Sequence, residues 1–108
     1  SLVGNYLLTV SLEGYLVVID KNNGNIIRVT DVFKNFKKKK RDKIKPVGFI
    51  VGVKNIYLTT SNGRLLVIDI KTGTTNSVLK IDSDKISRPF VIGKSLFVVK
   101  DNAIIKLD

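Results

Sequence analysis

The chain has 108 residues, 44% of them hydrophobic, and its 19 basic and nine acidic side chains give a net charge of +10. This length and hydrophobic content predict one folded domain with its own core. Histidine and cysteine are both absent, which excludes imidazole acid–base catalysis, thiol nucleophiles and disulfides, and no apolar run approaches the roughly 20 residues of a membrane span.

The first predicted elements are two strands joined by a tight turn, over residues 5–11 and 14–20. Both are rich in β-branched and aromatic residues, and Gly14 supplies the conformational freedom of a hairpin turn. A more polar third strand is predicted over residues 25–33, after a second turn. No helix is expected here or elsewhere in the chain.

The same order of strands recurs twice further along the chain. Apolar residues 47–52 and 88–93 each predict a strand that precedes a further hairpin. Those hairpins join residues 55–61 to 63–69 and residues 95–100 to 103–108, and residues 74–81 form another polar strand. In total, ten strands are predicted.

The repeats indicate an all-β fold of antiparallel four-stranded blades of β-propeller type. Asp20, Asp69 and Asp108 end equivalent strands and are spaced by 49 and 39 residues, which brackets the length of a propeller blade. Ten strands make about two and a half blades, so we expect a partial propeller that belongs to a longer chain, forms a homo-oligomer or packs as an open stack. Residues 1–108 form one domain, with repeat units of about 1–33, 46–82 and 88–108.

The aspartates are interpreted as parts of structural turns. An Asp side chain accepts hydrogen bonds from following backbone amides, and a glycine closes the turn in the left-handed conformation. The structural turn motif comprises Asp20, Gly24, Asp69, Thr72, Gly73 and Asp108.

These turns resemble the PQQ-like propeller repeat, with the pattern Ala-x-Asp-x-x-Thr-Gly-x-x-x-Trp. Residues 67–73 match it more closely than residues 18–24, where Asn23 takes the threonine position. The family includes quinoprotein dehydrogenases and the BamB-like outer-membrane assembly lipoproteins. Arg28 and Ser77 stand where the family tryptophan packs between blades, so that docking is expected to be lost at both positions.

The cofactor-free, BamB-like members are the nearer comparison. The chain offers no cysteine pair and no recognisable carboxylate set for a calcium-bound quinone, so we expect no enzyme activity, catalytic residue, cofactor or metal. A calcium loop at Asp82, Ser83 and Asp84 is considered, but a solvated link between strands is favoured because the glycine and distal glutamate of such loops are missing. The alternative is a fragment of a PQQ-dependent dehydrogenase whose catalytic blades lie elsewhere.

A basic insertion, residues 34–45, contains eight basic residues and one acidic residue and is expected to be a mobile loop. The favoured interpretation is a solubilising segment. The functional interpretation is attraction to an anionic partner, either phospholipid head groups or an acidic protein. Nucleic acid ranks last, because Phe33 and Phe36 have no second aromatic platform beside them and Phe33 is expected to close a strand. The basic residues that would attract an anionic partner are Lys34, Lys37, Lys38, Lys39, Lys40, Arg41, Lys43 and Lys45.

The sequence as a whole predicts a non-catalytic protein-interaction scaffold that acts in the periplasm or cell envelope. Exposed strand edges could pair with a strand of a protein partner, a mode that requires no special side chains. Tyr6, Tyr15 and Tyr57 are considered as a sugar- or peptide-binding patch, but packing within the strands is favoured.

Overall fold

The computed structural model describes residues 2–34 and 36–107, which form three antiparallel sheets. The first sheet contains β1 to β4 in that order: Leu2–Val3, Tyr6–Val10, Tyr15–Asp20 and Ile26–Asp31. The second contains β5 to β8 in that order: Pro46–Val51, Asn55–Thr60, Arg64–Asp69 and Thr75–Lys80. The third has the order β11-β10-β9, where β9 is Phe90–Ile92, β10 is Ser95–Lys100 and β11 is Ala103–Lys106.

The predicted fold class, antiparallel four-stranded sheets, is confirmed. Two sheets have four strands and the third has three within the described residues. The additional strand is β1, a two-residue element in which Val3 pairs with Tyr6. It was missed because two residues are too few to show an alternating pattern.

The core lies between the first and second sheets. Strand residues alternate between the two faces of a sheet, so Leu8 and Val18, which are paired in register, point the same way from the first sheet. Leu58 and Leu66 are likewise paired and point from the second sheet into the same cluster. The buried cluster comprises Leu8, Leu16, Val18, Val32, Phe33, Ile44, Ile56, Leu58, Leu66 and Ile68.

The opposite face of the second sheet packs towards the third sheet. Leu65 is buried there, and Leu96 and Val98 of β10 are buried on the facing side. Tyr57 and Val67, which are paired in register, line the cleft between these two sheets together with Leu96. The middle sheet is therefore covered on both faces, which explains why β6 and β7 are apolar at consecutive positions.

One short helix, α1, contradicts the expectation that no helix forms. It spans Lys38–Arg41 within the basic insertion and buries none of its residues. Four residues make a single helical turn, which is too short to produce a recognisable hydrophobic periodicity. The sequence pattern therefore could not predict it.

Candidate interaction surfaces

The two Asp-to-Gly turns share one local geometry. The backbone N–H of Gly24 donates to the carbonyl of Asp20, and that of Gly73 donates to the carbonyl of Asp69, each at 2.8 Å. Both glycines have φ of +73°, a conformation that glycine adopts readily because it has no Cβ. The third aspartate, Asp108, lies outside the described residues.

Asparagine and threonine have equivalent contacts at the fourth position of the turns. The Oδ1 atom of Asn23 accepts the backbone N–H of Asn25 at 2.8 Å. The Oγ1 atom of Thr72 accepts the backbone N–H of Thr74 at 3.1 Å. Each residue therefore supplies a side-chain acceptor for the amide two residues later, so Asn23 makes the contact in the first turn that Thr72 makes in the second.

The second turn is docked on the first sheet. The guanidinium of Arg28 in β4 donates Nη2–H to the carbonyl of Ile70 at 2.8 Å and Nη1–H to the carbonyl of Lys71. Beside them, a Cβ placed on Gly73 would lie 2.5 Å from Oγ1 of Thr30. The turn therefore needs glycine both for its conformation and for this close approach.

Arg28 joins the first two sheets by a contact that the sequence did not predict. Its forked guanidinium binds two carbonyls of the second turn at once. A further hydrogen bond, from Oγ1 of Thr75 to the carbonyl of Val32 at 3.0 Å, joins the same two sheets. At the equivalent position of the second repeat, Ser77 is exposed. Sequence reasoning missed Arg28 because its partners lie 42 and 43 residues away.

The basic insertion is anchored to the two sheets, whereas a mobile loop was expected. Arg41 donates Nη1–H to Oδ2 of Asp31 at 3.0 Å and Nε–H to the carbonyl of Phe36 at 3.2 Å. The rings of Phe33 and Phe36 meet edge to face, with centroids 5.5 Å apart. Ile44 is buried in the core cluster. These apolar contacts hold both ends of the segment against the protein.

The anchored insertion displays most of its basic side chains to solvent. Arg41 is half-buried in its ion pair, and Asn35 lies outside the described residues. The remaining basic residues form an exposed set that we call the lysine cluster: Lys34, Lys37, Lys38, Lys39, Lys40, Lys43 and Lys45.

Phe33 was expected to close a strand but lies beyond it. β4 ends at Asp31, whose Oδ1 accepts the backbone N–H of Phe33 at 2.9 Å. The Phe33 ring is fully buried against Gly14, and a Cβ at Gly14, where φ is +90°, would overlap the ring. Gly14 thus allows the first hairpin to pack on Phe33, the residue directly before the insertion.

Asp82 forms an ion pair with a strand of the third sheet. Its Oδ1 lies 3.2 Å from Nζ of Lys100 in the third sheet. The hydrogen bond from the backbone amide of Ser83 lowers the pKa of the Asp82 carboxyl below its ordinary value. Desolvation opposes this shift, whereas Lys100 and the backbone amide of Asp84 add to it. This carboxylate therefore links the second and third sheets.

The three tyrosines lie on three different surfaces and form no shared patch. Tyr6 points to the same side of the first sheet as Leu8, whereas Tyr15 points to the opposite side. Tyr57 lines the cleft between the second and third sheets.

Residues 2–34 and 36–107 meet neither the requirements of a metal site nor those of a membrane-spanning helix. This part of the chain gathers no group of three or more His, Cys, Asp or Glu side chains that could hold a metal ion. It also contains no helix with the length and apolar character of a membrane span.

Comparisons with known proteins identify the fold. Neither protein-family models nor curated proteins give a match. Among solved structures, BamB from Moraxella catarrhalis aligns with 97% of this chain at a TM-score of 0.65 and 13% identity, over 30% of its own length. The β-propeller domain of Cps50 (Swd1) from Myceliophteria thermophila aligns with 91% at a TM-score of 0.57 and 16% identity, over 46% of its length.

A computationally designed protein, Ika4, aligns with 98% of this chain and over 86% of its own length, at a TM-score of 0.52 and 13% identity. The chain spans less than half of the BamB structure and less than half of the Cps50 domain. At these identities the likeness concerns the fold. Together with the stacked antiparallel sheets described above, it shows that the chain is an open, partial β-propeller.

Proposed function

We propose that this chain is a non-catalytic protein-interaction scaffold that binds a strand of its protein partner along β11. The observation that carries this proposal is an open sheet edge. In the first two sheets the third strand of the repeat, β3 or β7, is paired on both sides. The equivalent β11 pairs with β10 on one side and has no strand on the other side within the described residues.

The hydrogen-bond register identifies the groups that would receive the partner strand. The backbone N–H of Leu107 donates to the carbonyl of Leu96 at 2.8 Å. Hydrogen-bonded pairs alternate along an antiparallel ladder, so the next residues back, Lys106 and then Ile104, direct their backbone groups away from β10. These groups are available for β-augmentation, in which main-chain hydrogen bonds supply the affinity.

Two likenesses to BamB-like proteins support the proposal of an envelope role. The Asp-to-Gly turns resemble the repeat found in BamB-like outer-membrane assembly lipoproteins, and the structure aligns with BamB over nearly the whole chain. The compartment we propose for the scaffold is the bacterial periplasm or envelope. Its expected partners are envelope proteins with an extended segment.

The test is retention of envelope proteins on the immobilised chain, with identification by mass spectrometry. Proline at Lys106 removes an outward backbone donor, which an edge strand tolerates in the folded protein. Lys80→Pro is the matched control, because Lys80 is also an exposed lysine at the end of an edge strand. We expect Lys106→Pro to lose the partner and Lys80→Pro to keep it. The proposal would be contradicted if both variants retained the partner. It would also be contradicted if the original chain retained no envelope protein.

A second candidate function is binding to an anionic surface, and the anchored insertion favours it. The contacts of Arg41 and Ile44 hold the segment in place while the lysine cluster remains exposed. Each basic residue near an anionic membrane contributes about 1 kcal/mol. The test is sedimentation with vesicles that contain phosphatidylserine, compared with neutral phosphatidylcholine vesicles.

In that experiment, changing the four residues Lys37, Lys38, Lys39 and Lys40 to glutamine should abolish vesicle binding, and salt should weaken binding of the original chain. The matched control changes four basic residues outside the insertion to glutamine: Lys21, Lys71, Lys94 and Lys106. If both quadruple variants lost vesicle binding equally, binding would depend on the net charge of the chain and not on the insertion.

A further inference from the structure

The outer face of the first sheet is apolar and uncovered in the described structure. Leu8 and Val18 point into the core, so their neighbours in β2 and β3 point outward. Val17 and Ile19 pair across the sheet with Val29 and Ile26, which are 54% and 63% exposed. The outward apolar set, called the front face, is Leu7, Tyr15, Val17, Ile19, Ile26 and Val29.

The outer face of the third sheet has the same character. Leu96 and Val98 are buried towards the second sheet, so the residues between and beside them point outward. The rings of Phe90 and Phe97 stack there, with centroids 5.8 Å apart. Val99 and Ile104, which are paired in register, are 38% and 64% exposed. This set, called the back face, is Phe90, Ile92, Phe97, Val99 and Ile104.

In the middle sheet, the residues at the repeat positions of the front face are covered by a neighbouring sheet. Val17 and Ile19 occupy the same repeat positions as Leu66 and Ile68, 49 residues later. In the second sheet those two positions are fully buried against the first sheet. The front face is therefore built like a surface that another sheet covers.

The middle sheet also shows what a back face packs against. Ile104 occupies the repeat position of Leu65, 39 residues earlier. Leu65 is buried and borders the cleft shared with the third sheet. The first and third sheets thus expose the two complementary halves of the contact that joins the sheets within the chain.

We propose that the back face of one copy of this chain packs on the front face of a second copy. This contact continues the stacking that already joins the sheets within the chain. It is heterologous, since the two copies contribute different surfaces, and such contacts produce rings or open filaments. The net charge of +10 opposes association, so added salt should strengthen this contact, whereas salt weakens binding to an anionic surface.

The test uses two variants that each alter one face at exposed positions. Ile26→Glu with Val29→Glu alters the front face, and Val99→Glu with Ile104→Glu alters the back face. The matched control is Leu12→Glu with Val53→Glu, two turn residues that are 66% and 97% exposed. Circular dichroism confirms that each variant is folded before its mass in solution is measured by light scattering.

The original chain and the control are expected to exceed the 12.0 kDa mass of one chain. Each face variant alone should remain a monomer, because every contact would include an altered face. A mixture of the two face variants should give one heterodimer of twice the monomer mass, formed by the unaltered back face of one and the unaltered front face of the other. A monomeric original chain, a face variant that still self-associates, or a mixture without heterodimer would overturn the proposal.

Discussion

The two Asp-to-Gly turns have the same backbone geometry but different surroundings. Gly24 has no atom within 4 Å of the position of a Cβ, whereas Gly73 faces Thr30 of the neighbouring sheet. Arg28 binds the second turn, at Ile70 and Lys71. The local motif therefore sets the conformation of a turn, and the neighbouring sheet determines how much the turn contributes to stability.

Replacing Gly24 and Gly73 by alanine should distinguish the cost of the turn conformation from the cost of the lost contact between sheets. We expect these substitutions to change the free energy of unfolding more than any of those below. Alanine in the left-handed conformation costs about 1–2 kcal/mol at either position. Gly73→Ala must also displace the Thr30 side chain, and overpacking adds about 1–3 kcal/mol. Urea unfolding should show that Gly73→Ala lowers the free energy of unfolding by clearly more than Gly24→Ala. Equal losses would mean that the second turn is not docked.

Removing the side chain of Arg28 should cause the next largest loss in the free energy of unfolding. Hydrogen bonds that involve a charged group contribute about 1.5–3 kcal/mol, so we expect Arg28→Ala to lower the free energy of unfolding by about 2 kcal/mol. Ser77→Ala, at the exposed equivalent position, should stay within about 0.5 kcal/mol. Thermal unfolding measures both variants, and a loss in Arg28→Ala no greater than that in Ser77→Ala would exclude the docking contact.

The turn aspartates should differ little from each other. Oδ1 of Asp20 accepts the backbone N–H of Asn22 at 2.8 Å, and Oδ1 of Asp69 accepts that of Thr72 at 3.0 Å. Both hydrogen bonds are local and exposed, so Asp20→Ala and Asp69→Ala should each cost about 1 kcal/mol. Urea unfolding of the two variants checks this equality. A much larger loss at Asp69 would show that its carboxylate also supports the contact between sheets.

Exchanging the residues at the fourth turn position should have the smallest effect. Asn23→Thr and Thr72→Asn preserve an acceptor for the amide two residues later. Each variant should keep its free energy of unfolding within about 0.5 kcal/mol, the range typical of surface substitutions. Asn23→Ala and Thr72→Ala serve as controls that remove the acceptor. An exchange that destabilises as much as alanine would show that the two residues are not equivalent.

The sequence predicts features that depend on nearby residues. The hairpin at Asn62 and Gly63 and the turn at Asp69 are local, because strand alternation and turn chemistry act over a few residues. The fold class follows from the repetition of these features along the chain. The register that directs the backbone of Lys106 away from β10 required the structure.

Contacts between distant residues could not be predicted in this way. Arg28 and the carbonyls it binds are separated by more than 40 residues, and no sequence periodicity relates them. The anchored insertion is a similar case, because its lysines indicate a solvated segment whereas Phe36 and Ile44 pack against the core. A charge pattern predicts which side of a segment is exposed to solvent. It does not predict which of its few apolar residues pack against the protein.

Amide hydrogen exchange tests the central claim, that the sheets stack and cover both faces of the middle one. Protection is greatest where strands are buried and paired on both sides. At a concentration where the chain is a monomer, the backbone amides of Leu66 and Ile68 in β7 should exchange more slowly than those of Val17 and Ile19 in β3. Exchange of β7 as fast as that of β3 would contradict the stacked arrangement.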